Sequence, residues 1–277
     1  MPLNFGLTKT YDPVETTVSA DQIEEYAAAS GDANPAHQPG PDQVASAIFS
    51  VVPGFMLMGA SGSDPDLGID NPLMIVHGEQ RFRYHQPLKP GMRVTMVPSI
   101  ESVEDKGKHG MFVSKLAMTD DSGELVIEQW ATIVVRGAGS GESRESSSKA
   151  APVKGDVAAT FTKEVDVDMP KRYAPASGDH NPIHLDDAVA KTVGLPGVIN
   201  HGLGTLSLVS GGLVEQVAGG DVTRLRELSC RFTAMVFPGQ TLTTTVWETV
   251  GNGAYLFETA NPAGDVVVAG SLEVAAP

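Results

Sequence analysis

Cysteine is nearly absent from this chain, since Cys230 is the only one among 277 residues. A single cysteine excludes an intramolecular disulfide framework and is typical of a protein kept in a reducing compartment. Long apolar runs are missing as well, and no stretch reaches the ~18 uninterrupted apolar residues of a membrane-spanning helix. The first residues lack the basic and apolar segments of a secretory signal. We therefore expect a cytoplasmic protein without a membrane span.

Basic residues are also few. The sequence has 19 Lys and Arg against 34 Asp and Glu, so its formal net charge is −15. Such a chain lacks the basic surface that binds a phosphate backbone, which argues against nucleic acid as a partner. Hydrophobic residues make up 41% of the sequence, as in an ordinary globular protein. At about 100–200 residues per domain, the length fits one large domain or two small ones.

An internal repeat decides between one domain and two. The segments Tyr26–Gln38 and Tyr173–Leu185 begin 173 − 26 = 147 residues apart and are identical at nine of thirteen aligned positions. Matches in the same order predict a tandem duplication. Later dipeptides that also match are Arg83-Tyr84 with Arg231-Phe232 and Pro90-Gly91 with Pro238-Gly239.

The boundary between the two copies is visible in the composition. Residues 137–156 read GAGSGESRESSSKAAPVKGD, which is rich in glycine, serine and charge and has no apolar periodicity. This composition is typical of a flexible linker. We therefore divide the chain into a first unit of residues 1–136, the linker 137–156, and a second unit of residues 157–277.

Each unit shows the same order of local signals. An extended start leads to a short helix and an irregular segment, and then to a helical run that is largely apolar and is therefore expected to be buried. Apolar and β-branched segments separated by turn residues follow, which predicts an antiparallel meander and an α+β unit. The predicted strands are Glu79–Tyr84, Met92–Ser102, Met111–Met118 and Val126–Val135 in the first unit, and Arg231–Val236, Thr241–Val250, Ala254–Thr259 and Val266–Val274 in the second.

The residues that carry chemistry lie in the second copy of the repeat, where the chain reads SGDHNPIH from Ser177 to His184. Pro182 disfavours an α-helix through Asn181. Asp179 and His184 are therefore predicted on a turn where their side chains converge. A carboxylate and an imidazole can hold one water molecule between them, and a histidine that titrates near neutral pH suits general acid–base catalysis.

A second feature follows at Asn200-His201-Gly202, directly before the apolar helical run. Backbone N–H groups at a helix N-terminus are unpaired and lie at the positive end of the helix dipole. Placed at a developing oxyanion, they stabilise it without a charged side chain. An acid–base pair beside such a site indicates addition of water to a carbonyl-activated compound, or its loss.

These motifs, in this order, resemble the signature of the MaoC-like (R)-specific enoyl-CoA hydratase and dehydratase family. The resemblance covers nearly the whole chain. It implies a double hot-dog fold, in which the antiparallel sheet of each unit wraps around a long central helix. The matching segments are Tyr173 with Ser177–His184, then Asn200–Leu203, and then Arg231-Phe232 with Phe237–Gly239.

The resemblance also implies an activity of fatty acid metabolism. It is the reversible syn hydration of trans-2-enoyl-CoA thioesters to (R)-3-hydroxyacyl-CoA, with no cofactor besides the CoA thioester that is the substrate, and with no metal. Asp179 and His184 would activate the water, and Asn181 would help to orient them. The Gly202 N–H would hold the thioester oxygen. The sequence leaves open which of the pair is the base, and His201 is a candidate for packing or substrate contact.

The first unit keeps Asp32, Asn34 and His37 at the same spacing, although the first unit of two-domain family members usually has lost the pair. In the sequence alignment, Met58 stands where the second unit has His201. We therefore predict a structural role for the first unit, with room for a long acyl chain. Its three motif residues stay a candidate second site.

Several residues have alternative interpretations. His180 and His184 are four residues apart, as in some metal sites, but Pro182 between them argues against the regular helix that would align them. We expect no metal there. The candidates for binding the phosphates of CoA, which are equally explained as surface charges, are Lys171, Arg172, Arg231 and Arg83.

The rival functions share the predicted fold. They are dehydration of (R)-3-hydroxyacyl-acyl-carrier-protein in fatty-acid or polyketide synthesis, thioester hydrolysis, and non-catalytic binding of acyl thioesters. Hot-dog units usually pair, and the duplication supplies such a pair within one chain. A homodimer of chains also stays open.

Overall fold

The computed structural model describes residues 2–142, 152–251 and 253–276. The first unit contains β1 (Lys9–Thr10), β2 (Val14–Thr17), α1 (Ala20–Ala29), α2 (Val51–Gly62), β3 (Ile75–Tyr84), β4 (Arg93–Asp105), β5 (Gly110–Asp120) and β6 (Leu125–Val135). The second contains β7 (Val157–Glu164), α3 (Met169–Ser177), α4 (Asp187–Thr192), α5 (Gly202–Val217), β8 (Leu225–Phe232), β9 (Thr241–Glu248), β10 (Ala254–Ala260) and β11 (Val266–Val274).

The strands form one antiparallel sheet in the order β1-β4-β5-β6-β3-β8-β11-β10-β9-β7, and β2 also pairs with β4. The two units meet edge to edge where β3 pairs with β8. Helix α2 packs against β4 and β5, and α5 packs against β7. The predicted α+β architecture, in which each half of the sheet covers a central helix, is confirmed.

Local chemistry explains how the helices begin and where they are buried. Ser19 caps α1, and its Oγ accepts a hydrogen bond from the N–H of Gln22 at 3.4 Å. Helix α5 is apolar around most of its circumference, and Leu206, Val209 and Leu213 are at most 1% exposed. Such a helix is stable only when it is surrounded by protein, as α5 is here.

Strand β8 differs from the prediction. It begins at Leu225 and ends at Phe232, whereas the sequence predicts a strand from Arg231 to Val236. The missed part carries charged residues, among them Glu227, which is bonded to Arg81 on the outer face of the sheet. Because β8 is paired on both sides, with β3 and β11, its backbone is fully bonded even where its side chains are polar.

The two units share one core. Tyr26 and Tyr173, the same residue in the two copies of the repeat, are both buried, and their hydroxyl oxygens are 3.0 Å apart. Side chains of both units belong to a single buried cluster around this pair. The duplicated motif therefore also joins the copies.

Two further predictions concern segments rather than the core. Residues 143–151 of the predicted linker lie outside the described residues, so its flexibility stays a prediction. Within the three described stretches of the chain, no helix has the length and apolarity to cross a membrane.

Candidate active site

Asp179 and His184 lie on a turn between α3 and α4, as the sequence predicts. Helix α3 is followed by Gly178, whose backbone takes the left-handed conformation (φ 81°) that glycine adopts without strain. Asp179 Oδ1 then accepts a hydrogen bond from the backbone N–H of Asn181 at 3.1 Å. Because this bond uses Oδ1, Oδ2 of the half-buried carboxylate can take a water molecule.

Asn181 caps the short turn that carries His184. Its Oδ1 accepts a hydrogen bond from the N–H of Ile183 at 3.3 Å, and the 3-10 turn Pro182–His184 begins directly after it. Pro182 suits this first position because a backbone N–H, which proline lacks, would have no partner there. Asn181 therefore orients His184 through the backbone.

His184 is held as a neutral imidazole. Its Nδ1 lies 2.9 Å from the backbone oxygen of Ile199, and a carbonyl can only accept, so Nδ1 carries the proton and Nε2 presents a lone pair. Burial lowers the pKa of His184 from its ordinary 6.5, although the Ile199 carbonyl and the Asp179 carboxylate oppose the shift. The imidazole is therefore available as a base at neutral pH.

His201 packs against the Asp179–His184 pair. Its Nε2 is 3.0 Å from the backbone oxygen of Asp179, and its ring centroid lies 4.0 Å from that of His184. Burial lowers the pKa of His201 to about 3, and the neighbouring His184 adds to this effect. A ring that stays neutral and is 1% exposed fits a packing role better than proton donation.

Gly202 is the first residue of α5, with His201 at the N-cap. At that position the helix itself supplies no acceptor for the N–H, which points out at the positive end of the helix dipole. A Cβ built on Gly202 would lie 3.5 Å from the ring of Phe232, so this ring forms one wall beside the N–H. The predicted oxyanion site and the Asp179–His184 pair are thus on neighbouring segments.

A cavity of about 210 Å³ lies beside this site. Its walls come from α2, β3, β5 and β6 of the first unit, and Leu203, the residue after Gly202, also lines it. Phe55 of α2 reaches Gly178, where a Cβ would be 4.0 Å from its ring. The apolar lining includes Val51, Phe55, Met58, Phe112, Ile133 and Leu203.

The candidate second site in the first unit is closed. His37 Nε2 is 3.2 Å from Asp32 Oδ2, and both side chains are buried. Burial lowers the pKa of His37, but the Asp32 carboxylate and the Val44 carbonyl together more than offset this, so the net shift is upward. A Cβ on Gly211 of α5 would lie 3.0 Å from the Asp32 carboxyl carbon, so α5 lies against the pair. Asn34 donates from Nδ2 to the backbone oxygen of Gly220 at 2.7 Å.

This geometry predicts a loss of stability without a loss of catalysis when Asp32 is replaced with Asn. The buried His37 Nε2 loses its charged partner, and a hydrogen bond to a charged group contributes about 1.5–3 kcal/mol. We expect urea denaturation to show a decrease of that order in the free energy of unfolding, with kcat nearly unchanged. A variant as stable as the parent protein would contradict the structural role.

The sequence alignment of Met58 with His201 is wrong. His37 Nδ1 is 2.8 Å from the backbone oxygen of Val44, the same contact that His184 makes with Ile199. The positions of His201 and Gly202 are therefore taken by Ser46 and Ala47. The segment from motif histidine to this carbonyl spans 7 residues in the first unit and 15 in the second, which includes α4. Met58 instead lies in α2 and lines the cavity.

The basic residues proposed for phosphate binding have other partners nearby. Arg231 pairs with Glu79, and Arg83 pairs with Glu227, so each joins the two units on the outer face of the sheet. Arg172 pairs with Asp166. Lys171 is exposed beside it. A role for these four residues in binding CoA stays a prediction.

The donor atoms of Asp179, His184 and His201 lie within 4.8 Å of one another, close enough for a cation to reach all three. His180, which the sequence spacing pairs with His184, is exposed and does not belong to this cluster. The expectation that the site works without a metal stays a prediction.

Two residues beside the site were missed in the sequence. His77 and Gln80 of β3 line the cavity, and the His77 ring lies 5.0 Å from that of Phe232. The repeat contains a signal for them, because His77 and Gln80 are polar whereas the aligned residues of the second unit, Leu225 and Leu228, are apolar.

Comparisons with known proteins find matches along most of the chain. Residues 148–266 match the family model described as MaoC like domain, and residues 7–129 match the FAS1-like dehydratase domain region. The chain is 34% identical to 3-hydroxyacyl-thioester dehydratase Y of Mycobacterium tuberculosis, over 74% of this chain and 73% of that protein. It is 31% identical to the peroxisomal enoyl-CoA hydratase 2 of Arabidopsis thaliana, over 72% and 70% of the two chains.

Solved structures share the fold. A MaoC-like dehydratase from Phytophthora capsici superimposes with a TM-score of 0.83 at 26% identity, covering 98% of this chain and 96% of that one. A Mycobacterium tuberculosis protein described as a double hotdog fold gives a TM-score of 0.60 at 12% identity, over 99% and 96% of the chains. The predicted double hot-dog fold is confirmed.

Proposed function

Because this chain belongs to the family of MaoC-like hydratases and dehydratases, we propose that it catalyses the reversible (R)-specific hydration of trans-2-enoyl-CoA thioesters to (R)-3-hydroxyacyl-CoA. The observation that carries the proposal is the neutral His184 beside the Asp179 carboxylate, next to a helix N-terminus and an apolar cavity. An acyl chain in the cavity places its thioester at that helix end. The enzyme is a carbon–oxygen lyase.

Asp179 and His184 hold the attacking water between Oδ2 and Nε2. One O–H bond of the water breaks as its oxygen bonds to C3, and the pair takes the proton. The same pair returns a proton to C2, so both atoms add to one face of the double bond. During attack, negative charge develops on the thioester oxygen, where the unpaired N–H of Gly202 stabilises it. No electron leaves the substrate, and the reaction needs no redox cofactor.

The test is a stereochemical assay of purified protein on trans-2-enoyl-CoA of increasing chain length. We expect the conjugated enoyl absorbance to disappear with formation of the (R)-3-hydroxyacyl product. Release of free CoA without hydration would identify a thioesterase instead. Tight binding with unchanged enoyl absorbance would identify a non-catalytic acyl-thioester-binding protein.

The acid side of the pH–rate profile follows from the lowered pKa of His184. The free enzyme needs the neutral imidazole, and burial lowers the pKa of His184 below its ordinary 6.5, so the neutral form predominates at neutral pH and still exceeds half at pH 6.5. We expect the acidic limb of kcat/KM, where Nε2 takes up a proton, to have its midpoint below pH 6.5. An acidic limb with its midpoint above 6.5 would contradict this environment for His184.

A second candidate substrate is the acyl-carrier-protein thioester. The match of residues 7–129 to a FAS1-like dehydratase region favours this alternative. It predicts a higher kcat/KM for (R)-3-hydroxyacyl-carrier protein than for the CoA thioester of the same chain. Equal or lower values for the carrier protein would leave CoA as the substrate.

The assembly and location of the enzyme are proposals of the same kind. Since β3 and β8 already pair the two units within one chain, a homodimer would join chains through another surface. Light scattering on the purified chain distinguishes monomer from dimer. We place the enzyme in the cytoplasm, and a fluorescent fusion tests this against the peroxisome, where the name of the Arabidopsis thaliana relative places that protein.

A further inference from the structure

Strand β3 presents two polar side chains to a cavity whose lining is mostly apolar. The pairing of β3 with β6 shifts by one residue between His77 and Glu79. This β-bulge lets His77 and Gln80, three residues apart, face the same side, and both line the cavity. Glu79 faces the other way and pairs with Arg231 on the outer surface. The bulge therefore places an imidazole and an amide together inside.

The hydrogen bonds of Gln80 are incomplete. His77 Nε2 and Gln80 Oε1 are 3.0 Å apart, so the two side chains hold each other in place. Gln80 is 2% exposed, and its Nε2 has no hydrogen-bond partner. A buried N–H group without a partner is unfavourable, and its presence in a native structure calls for an explanation. Burial also lowers the pKa of His77, so this end of the cavity is polar but uncharged.

The second copy of the same strand shows that the fold does not require these polar groups. The alignment of Arg83 with Arg231 sets a shift of 231 − 83 = 148 residues, which places Leu225 opposite His77 and Leu228 opposite Gln80. Leu228 is 0% exposed and Leu225 is 1% exposed, so both belong to the core of the second unit. The same architecture thus accepts buried leucines at these two positions.

The position of the pair points to the acyl part of the substrate. The His77 ring packs on Phe232, and Phe232 in turn borders Gly202 at the proposed oxyanion site. Leu203 lines the same cavity. A chain that enters from Gly202 therefore passes His77 and Gln80 beyond its reacting carbons.

We propose that Gln80, held by His77, forms a polar subsite for an oxygen atom carried by the acyl chain, such as a hydroxyl or carbonyl beyond the double bond. This inference rests on the proposed function. Gln80 Nε2 donates a hydrogen bond to that oxygen. A plain alkyl chain leaves the N–H unpaired, and sites built to bond an oxygen reject analogues that lack it.

The experiment compares trans-2-octenoyl-CoA with four analogues that carry a single hydroxyl at C5, C6, C7 or C8. For the parent protein we expect at least one hydroxylated thioester to exceed the plain one about tenfold in kcat/KM. The Gln80→Leu variant, which copies the strand of the second unit, loses this preference and hydrates the plain thioester at least as well. The Gln80→Met variant removes the same amide with a side chain of a different shape, so it shows whether the effect of Gln80→Leu depends on the shape of leucine.

Ser114→Ala is the matched control. Ser114 lines the same cavity, but its Oγ already donates to Ser61 Oγ at 3.1 Å, so its removal leaves the preference unchanged. Equal rates of the parent protein on all five thioesters would overturn the proposal, and so would a preference that survives in both Gln80 variants.

A binding measurement separates this inference from the proposed function. Calorimetry with saturated octanoyl-CoA and its four hydroxylated analogues needs no turnover. Were the parent protein inactive on every enoyl-CoA, tighter binding of one hydroxylated ligand, lost in Gln80→Leu, would still support the subsite. Equal affinities in the parent protein would reject it.

Discussion

Replacing Asp179 with Asn is expected to lower kcat for enoyl-CoA hydration by about 10²–10⁴-fold, the range that a positioned acid–base group contributes. The amide keeps an Oδ1 that can accept the N–H of Asn181, the bond that shapes the turn. What it loses is the charged carboxylate oxygen that we propose holds the attacking water together with His184. Initial rates of loss of the enoyl absorbance measure the effect, and thermal unfolding shows whether the fold is kept.

The duplication supplies an internal control for this experiment. Asp32 makes the equivalent bond, in which its Oδ1 accepts from the N–H of Asn34 at 3.1 Å. The same substitution there removes a carboxylate from an equivalent turn that α5 closes. Loss of activity in Asp32→Asn with full activity in Asp179→Asn would reverse the assignment of the active unit.

Replacing Gly202 with Pro is expected to lower kcat by about 10²–10³-fold, as the loss of one oxyanion donor does in other enzymes. Proline removes the N–H and puts the ring Cδ in its place, and the helix tolerates the change because its first position does not use that N–H. The preceding residue, His201, already has φ −59° and ψ 135°, the extended conformation that a following proline favours.

The control for this change is Gly202→Ala, which keeps the N–H. The added Cβ would lie 3.5 Å from the Phe232 ring, an ordinary contact. The alanine variant should therefore retain most of the activity, and the ratio of its kcat to that of the proline variant measures the effect of replacing the N–H with the proline ring. Similar kcat values for the two variants, both with intact folds, would mean that the Gly202 N–H does not hold the thioester oxygen.

Much of the fold was accessible from local patterns. The strand β11 was predicted with its observed bounds Val266–Val274, and β10 ends one residue beyond the predicted Ala254–Thr259. These strands are rich in apolar, aromatic and β-branched residues and lie between clear turn signals, so neighbouring residues alone define them. Strand β8 was shifted because its residues are bonded by strands far apart in the chain, which the local pattern does not contain.

The candidate site divides in the same way. The sequence predicts the turn that carries Asp179, Asn181 and His184, and it predicts the helix start at Gly202, because both are local features. The roles of these residues stay predictions. The motif Asp32–His37 looks nearly the same in sequence. In the structure this motif is closed, because α5 lies against the Asp32 carboxyl and because the segment after His37 is too short to carry a counterpart of α4.

The sequence by itself determined that the chain is a duplicated α+β protein, and it predicts which motif carries an acid–base pair and which helix start lies beside it. Periodicity, turn chemistry and spacing are local properties, so they can be read from the amino-acid sequence without the fold. Only the tertiary structure decided which copy stays open and that His184 is neutral. It also decided that the first unit brings a cavity, with Gln80 in its wall, to the motif of the second. Burial and proximity between distant segments cause these three features, and both arise only when β3 and β8 bring the two copies together.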